Sequence, residues 1–184
     1  IGFPIVIKPV DNRGSFGVKI IQNAQDLQRA FLDSVSHSHS REVLVEQYID
    51  GIHITVDGFV SFDGVHQNLC IASKNVIGVT VPIIMQVDYP AKITKKNKDD
   101  IFQANSRVID SLGIKAGLTH VEYVIDKEGQ CFLLEAANRG GGVWTSAKII
   151  PLLTELNLSR FLIYNEMGWP IELKTCDTQT CVSL

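Results

Sequence analysis

Residues 118–136 constrain the fold of this chain more than any other segment. Two runs of β-prone residues, 118–125 and 130–136, flank a turn around residues 126–129, which is the pattern of a β-hairpin. Strand side chains alternate between the two faces of a sheet. One face is therefore expected to be apolar and to pack in a core, and it carries Val121, Tyr123, Ile125, Phe132 and Leu134.

The other face of the predicted hairpin carries two glutamates, and their relation depends on the length of the turn. A two-residue loop places Glu122 opposite Leu133, and a four-residue loop places Glu122 directly opposite Glu135. In both registers the two carboxylates share a face, at about 5–8 Å from each other. A three-residue loop would break this arrangement.

Two carboxylates side by side repel each other unless a cation lies near them. Magnesium prefers oxygen ligands and commonly takes one or two carboxylates together with substrate phosphates. The pair therefore indicates a metal site, whereas the alternative is two solvated glutamates on an exposed sheet face. The hairpin alone leaves both interpretations open.

The residues after Glu135 include Arg139 and the triplet 140–142, which is all glycine. An arginine beside a carboxylate pair is suited to bind phosphate oxygens or an acyl-phosphate. The glycines allow close backbone approach and lead into a predicted helix, whose N-terminus favours anions. A plain connector between hairpin and helix is the alternative.

The N-terminal part offers a second set of candidate contacts. Lys8 ends a strand just before the loop 11–17, in which Gly14 and Gly17 can expose backbone N–H groups to an anion. The loop is neither a Walker A motif nor a dinucleotide fingerprint, and glycine loops also join ordinary hairpins. Glu46 follows the strand 43–45 and could accept from a purine amino group, although a simple turn explains it as well.

The whole pattern predicts an α+β fold, because strands occur in runs with helices between them. Strands are expected at 3–10, 18–21, 43–49, 52–62, 65–73 and 76–87, in addition to the hairpin. Helices are expected at 24–35 and 98–112, and a helical C-terminal part runs from 140 to about 166 with a break near Pro151.

Composition excludes several classes of protein. The chain is 45% hydrophobic and 20% charged with a net charge of −3, which is typical of a globular protein and argues against a dedicated nucleic-acid partner. No apolar run is long enough to span a membrane. Cys70 and Cys131 are expected to be buried, and a disulfide between Cys176 and Cys181 is a possible alternative to reduced thiols in a cytoplasmic protein. Because residue 1 is Ile and opens directly on a strand, we expect a part of a longer polypeptide.

Taken together, these segments resemble the ATP-grasp superfamily over nearly the whole chain. The order of the segments carries the resemblance: Lys8-Pro9, then Gly14-Ser15-Phe16-Gly17, then Glu46-Gln47-Tyr48-Ile49-Asp50-Gly51, then His120-Val121-Glu122-Tyr123, then Glu135-Ala136-Ala137-Asn138-Arg139-Gly140-Gly141. In that family two α+β subdomains hold ATP. The resemblance implies a lid subdomain at 1–48, incomplete at its N-terminus, and a larger antiparallel-sheet subdomain with the metal site at 49–184.

The resemblance also assigns roles. It implies that Lys8 contacts phosphate under a lid made by residues 11–17, including Gly14, Ser15, Phe16 and Gly17. Adenine would be held by Glu46 and the segment Gln47, Tyr48 and Ile49. Glu122 and Glu135 would bind magnesium, with manganese as a possible substitute, and Arg139 would meet the γ-phosphate or an acyl-phosphate.

Three departures from the family pattern qualify these roles. His53 stands where the family has a ribose-binding glutamate. This substitution is similar to the one in biotin-carboxylase-like members. The metal-binding asparagine expected two residues after the second glutamate is Ala137, with Asn138 next to it. An earlier phosphate-binding lysine and a substrate domain would precede residue 1. Lys74 lies in a segment that runs near the triphosphate in this family.

The implied function is an ATP-dependent ligase that activates a carboxylate as an acyl-phosphate for attack by an amine or another nucleophile. Members similar to carbamoyl-phosphate synthase and the amino-acid ligases match the 135–142 stretch best. A nucleotide-binding module without catalysis, or an unrelated α+β domain, are the alternatives. A homodimer and a cytoplasmic location are further expectations.

Overall fold

The computed structural model describes residues 2–78, 80–142, 144–173 and 181–183. The chain divides into two compact units, one made of Ile1–Asp50 and Asn75–Met85 and the other of Gly51–Lys74 and Gln86–Leu184. The smaller sheet and one apolar cluster lie in the first unit, whereas two apolar clusters and most of the larger sheet lie in the second.

The first unit contains a three-stranded antiparallel sheet of β1 (Ile5–Pro9), β2 (Lys19–Ile21) and β3 (Val43–Gln47), in the order β2-β1-β3. A 3₁₀ turn (Ala24–Asp26) leads into α1 (Leu27–Ser36), which packs on the sheet. The small core is formed by Ile5, Ile7, Ile21 and Ala30. Because β1 alternates, Lys8 lies on the opposite face from Ile5 and Ile7.

The larger sheet has six strands in the order β8-β7-β4-β5-β6-β9. They are β4 (Gly51–Val60), β5 (His66–Ile77), β6 (Ile83–Tyr89), β7 (Gly117–Asp126), β8 (Cys131–Ala137) and β9 (Val182–Ser183). β4 pairs antiparallel with both β5 and β7. The central position of β4 brings side chains from distant parts of the sequence into one row.

The helices of the second unit belong to two apolar clusters. α2 (Lys95–Ser111) begins after Thr94, whose hydroxyl accepts from Asn97 N at 3.2 Å and so caps the helix. Its buried Ile101 and Ile109 pack with Ile54, Val56, Val121 and Tyr123 of the sheet. The second cluster joins Phe59 and Ala72 to a π-helical turn (Thr145–Ile149), α3 (Ile150–Thr154) and α4 (Leu158–Glu166).

The α+β architecture confirms the fold class, but several details of the prediction were wrong. The break expected between 73 and 76 is absent from β5, which runs without interruption to Ile77. Pro151 does not break the C-terminal helical part. It lies in the first turn of α3, where its missing N–H costs nothing. The helix ends at Thr154, and the next residue, Glu155, has φ of 60°. Cys131 is exposed and not buried, whereas Cys70 is buried as expected.

Two further expectations concern a disulfide and membrane-spanning segments. The alternative disulfide involves Cys176, which lies outside them. Within the described residues no helix is long and apolar enough to cross a membrane.

Candidate functional site

The β7–β8 hairpin places Glu122 directly opposite Glu135, although its loop differs from both of the loops that predicted a shared face for the two glutamates. Asp126 N donates to Gln130 O at 3.0 Å, so the loop is the three-residue loop that should have separated the glutamates. A register shift between Glu122 and Tyr123 inserts Leu134 as an extra residue of β8 and restores the pairing of the two glutamates. Both carboxylates therefore start from the same face of the sheet.

The extra residue in β8 forms a β-bulge, and this bulge makes the apolar face of the hairpin differ from the predicted one. Phe132 is the Cα partner of Val124 and so shares the face of Glu122, and Leu134 is the inserted residue. Val121, Tyr123 and Ile125 lie in the apolar cluster of α2 as predicted, with Ala136 packed beside them.

Glu122 is held by two cationic neighbours. Lys74 Nζ lies 2.5 Å from Glu122 Oε1, and His120 Nε2 lies 3.3 Å from the same oxygen. Burial by itself would raise the pKa of Glu122, but the hydrogen bond from His120 and the charge and hydrogen bond of Lys74 lower this pKa to about 2. Glu122 is therefore ionised throughout the physiological range.

His120 joins Glu122 to a buried carboxylate. Its Nδ1 lies 2.8 Å from Oδ1 of Asp57, and Asp57 is only 1% exposed. Burial would lower the pKa of His120, but the hydrogen bonds to Asp57 and Glu122 raise it to about 9. The row Asp57, His120, Glu122 and Lys74 thus alternates in charge, which is how charged groups are tolerated away from water.

The opposed glutamates fit magnesium by donor chemistry. They present carboxylate oxygens, the hard ligands that magnesium prefers, with Glu135 exposed and Glu122 partly so. No cluster of three or more His, Cys, Asp or Glu suited to a metal occurs within the part of the chain that is described. The donor set therefore matches an ion that takes its remaining ligands from phosphates and water, not an all-protein cage.

The segment after β8 is tied to the start of β7. Asn138 Nδ2 donates to Ala116 O at 3.1 Å and to Leu118 O at 3.0 Å. Ala137 is the Cα partner of His120, so it is Ala137, not Asn138, that shares the face of the glutamates. Arg139 is exposed, and its Nη1 donates to the adjacent Gly140 O at 3.0 Å.

His53 and Lys74 are Cα partners across β4 and β5. The pKa of His53 is lowered, first by burial and then by the positive charge of Lys74. The ring is therefore neutral near pH 7, so it can both donate and accept a hydrogen bond.

In the first unit, Lys8 and Glu46 form an ion pair. Lys8 Nζ lies 2.6 Å from Glu46 Oε2, with side-chain exposures of 21% and 34%. The β1–β3 register pairs Lys8 with Leu44 and Val6 with Glu46, so the two charged residues are diagonal neighbours on one face. In the following segment of Gln47, Tyr48 and Ile49, Tyr48 N donates to Pro4 O at 3.1 Å. This N–H group is therefore already used in a hydrogen bond within the fold.

The loop 11–17 has the backbone that its glycines predicted. Gly14, Ser15 and Gly17 have φ of 64°, 58° and 80°, and Phe16 is 64% exposed. A Cβ on Gly17 would lie 2.8 Å from His37 Cβ, so only glycine allows this approach to the end of α1. The base of the loop is fixed by Asp11, which accepts from Ser38 Oγ at 2.8 Å and Ser40 N at 2.7 Å.

The hydrogen bonds of Asp11, which anchor the base of the loop 11–17, can be tested by a pH titration. Hydrogen bonds, chiefly from the Ser40 backbone and then the Ser38 side chain, lower the pKa of Asp11 from 3.8 to about 2. Because the folded-state pKa is depressed, the anchor is fully present above the unfolded value and is lost as the pH falls through about 2. A ¹³C NMR titration of the Asp11 carboxyl should give a midpoint near that value. A midpoint at the ordinary aspartate value would contradict the anchor.

Sequence reasoning missed Asp57 and His120. His120 lies two residues before Glu122, so strand alternation already placed it on the glutamate face. Asp57 is a charged residue within the mostly apolar run of β4, and this was the available signal.

Comparison with known proteins agrees with the fold. A family model described as ATP-grasp domain matches residues 1–147, and the chain therefore belongs to the ATP-grasp domain family. It is 31% identical over 152 residues to D-alanine–D-alanine ligase of Parabacteroides distasonis, covering 79% of this chain and 45% of that protein. The chain thus spans about half the length of the curated relatives that it matches.

Solved structures of two enzymes share the fold. The L-amino acid ligase from Bacillus licheniformis superposes with a TM-score of 0.78 at 24% identity, over 94% of this chain and 40% of that chain. The biotin carboxylase domain dimer of Hydrogenobacter thermophilus 2-oxoglutarate carboxylase, in complex with MgADP, ADP and bicarbonate, gives 0.79 at 17% identity, over 95% of this chain and 39% of that one.

Proposed function

We propose that this chain is the ATP- and magnesium-binding part of a ligase that activates a carboxylate as an acyl-phosphate for attack by an amine. The observation that carries the proposal is the direct opposition of Glu122 and Glu135 on one sheet face. Family membership supports the nucleotide, and the similar D-alanine–D-alanine and L-amino acid ligases support a carboxylate substrate and an amine nucleophile.

In the second unit, Glu122 and Glu135 are proposed to hold magnesium. Asn138, the further oxygen donor that the sequence suggests, would join them only if its amide left Ala116 O and Leu118 O and turned to the face of the glutamates. Magnesium supplies charge neutralisation at the phosphates during phosphoryl transfer. Arg139 projects an exposed guanidinium just after the metal-binding strand and is proposed to contact the γ-phosphate or the acyl-phosphate. The protein's own task is then mainly positioning and electrostatic stabilisation.

Lys74 and His53 complete this part of the proposal. Lys74 Nζ neutralises Glu122 through their ion pair, and its ammonium is proposed to contact a phosphate oxygen when a metal ion lies beside Glu122. The neutral His53 ring is proposed to bind the ribose hydroxyls by accepting or donating a hydrogen bond.

In the first unit, Lys8 is proposed to contact phosphate and Glu46 to accept from the adenine amino group. Their ion pair brings the two charged groups together on one face of β1 and β3. Gly14, Ser15, Phe16 and Gly17 would cover the phosphates as a lid, while Gln47, Tyr48 and Ile49 would line the adenine. The predicted division into a lid subdomain at 1–48 and a metal-binding subdomain at 49–184 belongs to this proposal.

A second candidate is a nucleotide-binding module without catalysis of its own. A homodimer is supported only by the dimeric state of the similar biotin carboxylase domain. The cytoplasmic location stays a prediction.

Calorimetry with ATP, in the presence and absence of magnesium, tests the proposed function. Lys8→Ala is expected to weaken ATP binding by about 10-fold or more, because a charge-assisted hydrogen bond to phosphate is lost. Lys19→Ala is the matched control, since Lys19 lies in the same unit and forms a surface ion pair with Asp33 at 3.0 Å. Equal affinities for both variants, or no ATP binding by the wild-type chain, would contradict the proposal.

A turnover assay separates ligase from module. ATP hydrolysis or ligation by the chain that disappears on Glu135→Gln would rule out the non-catalytic module. ATP binding without turnover, with activity in a longer polypeptide that includes the chain, would support a ligase whose substrate region lies elsewhere.

A further inference from the structure

Asp57 is a buried carboxylate to which the proposed function gives no role. It lies within β4, is 1% exposed, and directs Oδ1 at His120 Nδ1 over 2.8 Å. Its other oxygen is 4.0 Å from Cys70 Sγ. A carboxylate in such surroundings is costly unless it is paired, so the contact with His120 is the main reason that this position tolerates an aspartate.

His120 is held at both ring nitrogens. Nδ1 faces Asp57, and Nε2 lies 3.3 Å from Glu122 Oε1, so the ring links two carboxylates. The β4–β7 ladder pairs Asp57 with His120 and Thr55 with Glu122. The backbone register therefore fixes the order of the row, and the imidazole orientation in turn restricts the orientation of the Glu122 carboxylate.

The glycine loop lies against the same pair. A Cβ on Gly141 would come within 2.8 Å of Asp57 Oδ1 and 2.9 Å of His120 Nδ1. The backbone at Gly141 can reach this position only because it lacks a side chain. His120 thus contacts the candidate metal ligand Glu122, and both Asp57 and His120 lie against the loop that follows Arg139.

We propose that Asp57 and His120 act as a positioning pair, in which Asp57 orients the imidazole and the imidazole orients Glu122 and seats Gly141. This inference rests on the proposed function, because it assigns the pair to the magnesium site. Neither residue is placed in contact with the nucleotide. Groups that orient metal ligands from outside the coordination sphere typically change metal affinity by about 10- to 100-fold.

The test uses manganese as the probe, measured by the electron spin resonance of free Mn²⁺ in the presence of ATP. Asp57→Asn and His120→Gln are each expected to weaken Mn²⁺ binding by about 10- to 100-fold, with no change in the affinity for ATP without metal. Asp63→Asn removes the same charge from an exposed turn of this unit and is expected to change neither. A merely structural role would weaken ATP and Mn²⁺ binding together.

A double-mutant cycle with Glu122→Gln shows whether the pair acts through Glu122. If it does, Asp57→Asn causes no further loss of Mn²⁺ affinity in the Glu122→Gln background. Additive losses would overturn the proposal. The proposal would also be overturned if Glu122→Gln lost Mn²⁺ affinity while Asp57→Asn and His120→Gln kept the wild-type affinity. Absence of ATP-dependent Mn²⁺ binding in the wild-type chain would instead contradict the proposed function itself.

A measurement on the wild-type chain covers the case in which Asp57→Asn and His120→Gln do not fold. The ¹⁵N resonances of the His120 ring are recorded with ATP alone and then with Mg²⁺ and ATP. The Nε2 resonance is expected to move more than the Nδ1 resonance when magnesium is added, because only Nε2 faces Glu122. An unchanged Nε2 resonance in the metal-bound chain would overturn the proposal.

Discussion

Replacing Glu122 by glutamine is expected to weaken the binding of magnesium-ATP by about 100-fold, which corresponds to about 2.7 kcal/mol. The substitution removes one of two opposed carboxylates and with it half of the negative charge that the protein offers at the proposed metal site. The affinity for ATP without metal should remain unchanged, because Glu122 is proposed to act only through magnesium. Calorimetry with and without magnesium measures both quantities.

The control for Glu122→Gln is Glu128→Gln, which changes an exposed glutamate in the turn of the same hairpin. Equal magnesium-ATP affinities for these two variants would contradict the metal site. Glu122→Gln should also lower stability, because it leaves the ammonium of Lys74, whose side chain is 7% exposed, without its negative partner. Adding Lys74→Met is therefore expected to restore stability without restoring metal affinity.

Replacing Gly51 by alanine is expected to lower the free energy of unfolding by about 3 kcal/mol, at the upper end of the usual cost of overpacking. Gly51 begins β4 opposite Asp126, and an added Cβ would overlap the backbone carbonyl of Ile125. Backbone atoms in a paired strand cannot move aside as a side-chain tip can. The end of the β4–β7 ladder would have to separate, which urea unfolding monitored by circular dichroism would detect.

Gly142→Ala is the control for Gly51→Ala. Nothing lies within 4 Å of a Cβ built on Gly142, so the same chemical change should leave the unfolding free energy nearly unaltered. If Gly51→Ala were as stable as Gly142→Ala, the close approach of β4 to Ile125 would be wrong.

The hairpin shows how far the sequence could predict this site. Alternation correctly put Val121 and Tyr123 in the core and Glu122 on the other face, because period two is a local property of a strand. The register was not predictable in the same way. Leu133 and Leu134 are identical residues, so the pattern gives no sign of which one is inserted at the bulge.

The neighbours of Glu122 depend on strand order, which local pattern does not reveal. Lys74, Asp57 and Glu122 meet because β4 lies between β5 and β7, and this order is fixed by packing over the whole sheet. The ion pair between Lys74 and Glu122 could therefore not be read from spacing, although both residues were already candidates. Similarly, the polar residues Lys74 and Asn75 suggested a break between two strands, but β5 continues through them. Pairing with β4 extends as far as Lys74 and holds this part of β5 in the sheet.

A crystal structure of the chain with Mn²⁺ and a non-hydrolysable ATP analogue tests the central claim most directly. Anomalous scattering locates manganese, which stands in for magnesium with the same preference for oxygen ligands. The account predicts an ion about 2.0–2.2 Å from a carboxylate oxygen of Glu122 and of Glu135, with phosphate oxygens completing its coordination. An ion bound to the analogue with both glutamates outside its coordination sphere, and Glu122 still paired with Lys74, would contradict it.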